Sequence, residues 1–387
     1  MKLLVLTSRI PYPIEKGDKL RMYYQLKELA KHHEIALCCL SDCEISESAL
    51  DALRPFCKRI EILKLHPLRR WMNVILGVLS RRPFQVSYFF QRSAARQLRR
   101  VIDEEKPEHI YCQLIRCAEY VKDVVEIPKT IDYMDALSYG MRRRCANSGF
   151  FARLIFREEA ERLERYEQII FEYFDHHTII SKQDCDLMKH PQRERIAIVR
   201  NGIDASFFET VVSGYQFQIL FCGNMSYPPN IEASKRLVND ILPMVQKEYP
   251  EITVMLAGAD PSRAVRSLKQ SSVYVTGWID DIREAYSSAK VFVAPMVSGS
   301  GMQNKLLEAM ASGLPCLTTR IAADALQASD GVNIIVCESN EDFAFNVLKL
   351  LRDDVFYHKI ASEAKSFVEL NFRWENSAHD LEVLLLS

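Results

Sequence analysis

Val291-Phe-Val-Ala-Pro-Met-Val-Ser-Gly-Ser-Gly-Met-Gln-Asn-Lys-Leu-Leu-Glu-Ala-Met-Ala-Ser-Gly-Leu-Pro-Cys-Leu-Thr318 reads as a buried strand, a small-residue loop, a helix and a second strand. The apolar run Val291–Ala294 is too short and too continuous for an amphipathic helix, and Leu306 to Ala311 have helical spacing. A strand that enters a helix through a glycine loop and leaves it into another strand is the unit of a parallel sheet. The same rhythm runs outward in both directions. Upstream lie apolar runs at Leu3–Leu6, Ile35–Leu40, Ile60–Leu63, His109–Gln113, Lys129–Tyr133 and Thr178–Ser181, and after a break they resume at Phe217–Cys222, Ile252–Ala257 and Val273–Thr276. Downstream come Asn333–Val336 and two helical stretches, Asp354–Leu370 and Trp374–Leu386. The expected fold is α/β: two doubly wound, Rossmann-like domains facing across a cleft, divided as 1–205 and 206–371, with a helix at 372–387 returning to the first.

Length agrees with two domains, since 387 residues exceed a single ordinary core. Hydrophobic residues make up 48% and charged residues 26%, enough apolar surface for both cores. Fifty Lys and Arg against 51 Asp and Glu argue against bulk nucleic acid as the partner. The 11 cysteines show no C-x-x-C or Cys/His ligand spacing and read as reduced thiols of a cytoplasmic protein. The apolar start at Leu3–Leu6 stops at Thr7-Ser8-Arg9, too soon for a signal sequence, and no stretch has the length of a transmembrane helix.

Ligands of open parallel sheets bind at the carboxyl ends of strands, so the loops after strands carry the candidate residues. Gly299, Ser300 and Gly301 let backbone approach a ligand, and a helix starting near Met302, Gln303 and Asn304 turns its free N–H groups toward a diphosphate. Lys305 and Glu308, three apart, share one helix face. On spacing alone they read equally as a phosphate cation with a ribose-binding carboxylate, or as an ordinary surface pair.

This segment resembles the nucleotide-sugar signature of GT-B glycosyltransferases, specifically glycosyltransferase family 4: a Glu, seven residues, a second Glu, then Ala-Met-Ala-x-Gly-x-Pro. Glu308-Ala-Met-Ala-Ser-Gly-Leu-Pro315 matches the second half, and Ser300 stands where the first Glu falls. Gly-x-Gly-x-Gln-Asn-Lys in its place is similar to the sugar transferases associated with PEP-CTERM/exosortase polysaccharide systems. The first loop, Tyr12-Pro-Ile-Glu-Lys-Gly-Asp-Lys-Leu-Arg21, resembles the same subgroup. The resemblance implies a metal-independent, retaining, hexosyltransferase-like enzyme of polysaccharide biosynthesis. It would use a nucleotide-diphosphate sugar as donor substrate and no other cofactor. The acceptor would be a glycan or polyprenyl-linked hydroxyl. Lys305 and Glu308 would act on the donor; Gly17, Arg21, Gly223, Asn224, Gly277, Trp278 and Ile279 would line its site, with Trp278 otherwise a buried packing residue. Asp132 and Asp135, at the end of the Lys129–Tyr133 strand, stand where the family places a His or Asp facing the transferred sugar; Asp135 fits a helix cap equally well.

Asp184-Cys185-Asp186 is a D-x-D, but Ser181 before it fits an N-cap that puts both acids in a first helical turn. No essential metal is expected. Leu68 to Pro83 is an apolar run flanked by Arg pairs, which suits either a core helix or a peripheral membrane contact over 67–90 at the inner face of the membrane. A nucleotide-sugar epimerase and a non-catalytic partner subunit on the same fold are the alternative functions.

Overall fold

The computed structural model describes residues 1–146, 148–210, 214–298 and 302–387. The chain divides into two units, Met1–Asn201 with Trp374–Ser387, and Gly202–Arg373. The crossings fall at 201/202 and 373/374, a few residues from the 205/206 and 371/372 expected. In the second unit, Ile203 N–H donates to Phe372 O at 2.7 Å, so the chain enters and leaves that unit side by side.

The first unit holds a seven-stranded sheet: β1 (Lys2–Thr7), β2 (Glu34–Ser41), β3 (Arg59–Lys64), β4 (His109–Gln113), β5 (Lys129–Asp132), β6 (His176–Ile179) and β7 (Ile196–Ile198), in the order β3-β2-β1-β4-β5-β6-β7. All neighbours pair in parallel. The physical cause of the continuous apolar runs is visible in β1. Leu3 and Val5 enter a core with Met22, Leu26, Ile35 and Leu37, while Leu4 and Leu6 enter the opposite one with Cys38, Ile110 and Ile131. A strand covered by helices on both faces has no polar side to alternate with. The Trp374–Leu385 helix closes the first of these cores with Leu381 and Leu385, and Trp374 stacks on Tyr24 at 5.0 Å.

The second unit repeats the plan with β8 (Phe217–Cys222), β9 (Val254–Ala257), β10 (Val273–Val275), β11 (Ala289–Ala294), β12 (Cys316–Thr318) and β13 (Ile335–Val336), ordered β10-β9-β8-β11-β12-β13 and all parallel. In each sheet the winding direction reverses once: between β1 and β4, and between β8 and β11. Neighbouring connections leave in opposite directions there, opening a crevice at the strand ends. The helix expected from Met302 starts instead at Asn304 and runs to Ala311, with Gln303 before it.

Among the described residues no helix is long and apolar enough to cross a membrane, and all 11 cysteines are free. Ser181 caps the Lys182–Leu187 helix by accepting from Asp184 N–H at 3.0 Å, and Asp186 pairs with Lys182 at 3.0 Å. The two acids of the D-x-D thus belong to a helix start.

Candidate functional site

In the second unit the loops after β8 and β11 flank the reversal point. Beyond the strands, Gly223 N–H donates to Ala257 O at 3.0 Å and Gly258 N–H to Gly277 O at 3.1 Å, so the ends of β8, β9 and β10 stay tied together. Gly223 and Gly258 both have positive φ, 147° and 139°. A Cβ on Gly258 would lie 1.9 Å from Gly223 O, so no side chain fits without moving one strand end. Gly258→Ala should therefore lower stability by about 2 kcal/mol, as strained positive-φ substitutions do. The check is urea unfolding of the variant; a midpoint equal to wild type would mean that the two backbones separate freely.

Asn230, in the first turns of the Pro228–Lys235 helix, is the centre of the site. Its side chain is buried and uses both ends: Nδ2 donates to Asn224 O at 2.8 Å, and Oδ1 accepts from Lys305 Nζ at 2.8 Å. Asn224 in turn closes a turn by accepting from Ser226 N–H (2.9 Å) and Oγ (2.7 Å). Lys305 Nζ also donates to Gln303 Oε1 at 3.0 Å and stands 5.6 Å from the centre of the Phe221 ring. Both oxygen partners are neutral, so among the described residues the ammonium has no carboxylate hydrogen-bonded to it. Burial lowers the Lys305 pKa to about 8, with Glu308 pulling it back up.

Glu308 faces Tyr286, whose hydroxyl donates to its Oε2 at 2.8 Å. Cys222 Sγ lies 2.9 Å from the same hydroxyl. With the phenol proton given to the carboxylate, the thiol is the donor of that second contact. Burial raises the Glu308 carboxyl above its ordinary value, and Tyr286 and Lys305 oppose the rise. Its Oε1 accepts no hydrogen bond among the described residues.

The other expected residues divide. Gly223, Asn224, Gln303, Lys305 and Glu308 come together, and Asn304 opens the helix that carries the last two. Gly277 sits at the neighbouring strand end with φ 79°. Met302 and Ile279 pack partly buried against the core. Trp278 is not buried packing: it is 68% exposed, and its indole N–H donates to Asp280 Oδ1 at 2.9 Å. Gly299, Ser300 and Gly301 lie outside the described residues. Asn230, Gly258 and Tyr286 were not singled out from the sequence. Gly258 had a signal, a glycine directly after the β9 run; Tyr286, in the middle of a helix, had none.

In the first unit the expected donor residue Arg21 and the expected catalytic residue Asp132 are found bonded to each other. Arg21 Nε donates to Asp132 Oδ2 at 2.7 Å with both side chains fully buried. Asn201 Oδ1 accepts from Arg21 Nη1 at 2.9 Å, Tyr111 Oη lies 3.0 Å from Asp132 Oδ2, and Met134 N–H donates to Asp132 Oδ1 at 3.1 Å. Every oxygen of Asp132 is thus engaged inside the unit. Gly17 is the first residue of its helix, and a Cβ there would meet nothing within 4 Å. Asp135 is the accessible carboxylate at the end of β5. Desolvation by the protein around it lifts its pKa to about 6, Asp184 adds to this, and Arg116 opposes it.

Residues 216–353 match the family model described as "Glycosyl transferases group 1". Over 96% of both chains the protein is 24% identical to a Klebsiella pneumoniae protein described as an uncharacterized 44.6 kDa protein in the cps region. A segment of 143 residues, 34% of this chain and 37% of the relative, is 27% identical to phosphatidyl-myo-inositol mannosyltransferase of Mycobacterium tuberculosis. Anabaena Alr3699/HepE, solved in complex with UDP, superposes with a TM-score of 0.68 at 14% identity over the full length of both chains. The two parallel α/β units therefore have the fold of the GT-B glycosyltransferases, and residues 216–353, the part that holds Lys305 and Glu308, match the glycosyl transferases group 1 family.

Proposed function

We propose that the protein is a glycosyltransferase moving a sugar from a nucleoside diphosphate sugar to a hydroxyl of a glycan or lipid-linked acceptor in polysaccharide biosynthesis. The observation that carries this reading is Lys305: a half-buried ammonium whose oxygen partners among the described residues are neutral, at the strand-end reversal of the unit that matches the family. Such a charge suits the diphosphate, whose negative charge grows as the sugar departs. Glu308 Oε1 would accept the ribose hydroxyls, with Tyr286 fixing the carboxylate. Gly223 and Gly258 keep the strand ends free of side chains where the donor's backbone approaches. HepE, a structural neighbour, was solved with UDP and with UDP-glucose.

Catalysis would rest on positioning and on stabilising the leaving diphosphate rather than on a protein nucleophile. Lys305 would supply the charge that a metal supplies elsewhere. Asp135 would orient the acceptor hydroxyl, and Asp132 would act as a positioning residue through Arg21. Retention of configuration and a hexosyl donor follow from the resemblance. The cps-region relative supports a polysaccharide setting; the link to PEP-CTERM/exosortase systems rests on the Gly299 to Lys305 motif. Contact with the inner face of the membrane through 67–90 belongs to the same reading.

A thermal-shift series with UDP, GDP, ADP and TDP, in EDTA and in Mg²⁺, tests the donor site, because a ligand of the folded state raises the melting temperature with its concentration. One diphosphate should act equally well in EDTA. Glu308→Ala should weaken it about tenfold, the scale of one hydrogen bond to a charged group. A protein that no nucleotide stabilises would be the non-catalytic subunit instead.

A further inference from the structure

The chain is nearly neutral, yet residues 62–102 carry nine Lys and Arg and no Asp or Glu. This stretch holds the Pro67–Ser80 helix, the short Phe84–Phe89 helix and the start of the Arg92–Glu105 helix. On the first of these, Leu68, Trp71, Met72 and Ile75 are 71%, 65%, 59% and 69% exposed. The spacing i, i+3, i+4, i+7 makes one outward row, the pattern that ordinarily faces a core.

Beside that row a recess of about 470 Å³ is lined by Arg69, Asn73, Arg82, Ser87 and Arg92. Arg82 pairs with Glu119 at 3.0 Å. Arg69 and Arg92 have no carboxylate partner among the described residues. Ser87 is 3% exposed and its Oγ has no hydrogen-bond partner among the described residues. Two unneutralised guanidinium groups and a buried unpaired hydroxyl around one recess are the donors a phosphate requires.

A second apolar row adjoins the first. On the Phe150–Phe171 helix, Arg162 Nη1 donates to Gly77 O at 2.7 Å, and Glu159 accepts from Phe84 N–H and Gln85 N–H at 2.6 and 2.9 Å. Phe151 and Ile155 lie on the same stripe as Arg162, three and two turns earlier, and both are exposed (82% and 58%).

We propose that the outward face of the Pro67–Ser80 helix, with the first turns of the Phe150–Phe171 helix, docks on an anionic lipid bilayer, and that the Arg69–Ser87–Arg92 recess takes the phosphate of a lipid headgroup. Apolar side chains enter the acyl boundary, the Trp71 ring sits at the interface, and the cationic stretch is drawn to the charged surface. The proposal deepens the membrane-contact reading above, but does not depend on the donor site.

The test is co-sedimentation of the full chain with phosphatidylcholine vesicles and with vesicles that also contain phosphatidylglycerol. Wild type should pellet with the second and stay soluble with the first, and salt should release it. Trp71→Ser with Ile75→Ser should lower partitioning roughly tenfold or more. Arg69→Glu with Arg92→Glu should lower it at least about thirtyfold, since each change removes a cation from the surface and adds an anion. All four side chains are exposed on the surface, so melting temperatures and the nucleotide shift should match wild type; that shift keeps a failure here separate from a failure of the donor site. A wild type that stays soluble beside anionic vesicles, or variants that pellet like wild type, overturns the proposal. So does stabilisation by glycerol phosphate or inorganic phosphate without vesicle binding, which would make the recess a site for a soluble anion.

Discussion

Lys305→Ala should lower kcat/KM for the nucleotide-sugar donor by about two to three orders of magnitude, the usual cost of removing a group that stabilises developing charge in a transition state. The fold should persist, because among the described residues the ammonium bonds Asn230 Oδ1 and Gln303 Oε1, two side-chain oxygens that water can satisfy, and beyond them only Met296 Sδ at 3.9 Å. The charge itself is distinguishable from the side chain's bulk by pH. Burial holds Lys305 near a pKa of about 8, and the protonated form is the one that meets a diphosphate. Below that pKa the charge is present; as pH rises through it, the charge is lost and donor affinity falls. The profile of kcat/KM should therefore carry a descending limb near pH 8 in wild type. Lys305→Arg, charged throughout, should flatten that limb even if its longer, planar head lowers the plateau. Full turnover in the alanine variant, or the same limb in the arginine variant, would remove Lys305 from the donor site.

How much of this was legible in the sequence depends on the range of the interaction. Strands buried on both faces announce themselves as apolar runs, so β1, β8 and β11 stood out. The loops after them followed from the rule that parallel sheets bind ligands at their carboxyl ends. The Lys305/Glu308 pair was visible because three residues on a helix are neighbours. What those two side chains do was not visible. Lys305 finds Asn230, 75 residues away, and Glu308 finds Tyr286, 22 residues away on another helix. No local periodicity encodes either meeting. Trp278 was ambiguous for a different reason: a lone Trp after a strand packs inward or outward according to what the next turn covers, and here Asp280 holds its N–H at the surface. Arg21 and Asp132 look like two free functional groups in sequence, 111 residues apart, and the fold turns them into one buried pair.

That pair has a consequence for stability that a reacting carboxylate would not have. Asp132→Ala leaves the Arg21 guanidinium buried opposite an empty space, with Tyr111 and Asn201 unable to neutralise it. Removing one partner of a buried ion pair typically costs about 3–5 kcal/mol, because the remaining charge has lost its compensation. For a unit of this size the melting temperature should fall by about 10 °C. Arg21→Met with Asp132→Leu removes both charges and keeps the volume, so it should recover most of that loss, since a well-packed apolar pair is often as stable as the ion pair it replaces. Calorimetry on the two variants gives the stability, and turnover on the same samples separates the roles. If the pair only holds its helix in place, activity should return together with stability in the double variant. A double variant that melts like wild type and transfers no sugar would show that one member of the Arg21–Asp132 pair takes part in the reaction.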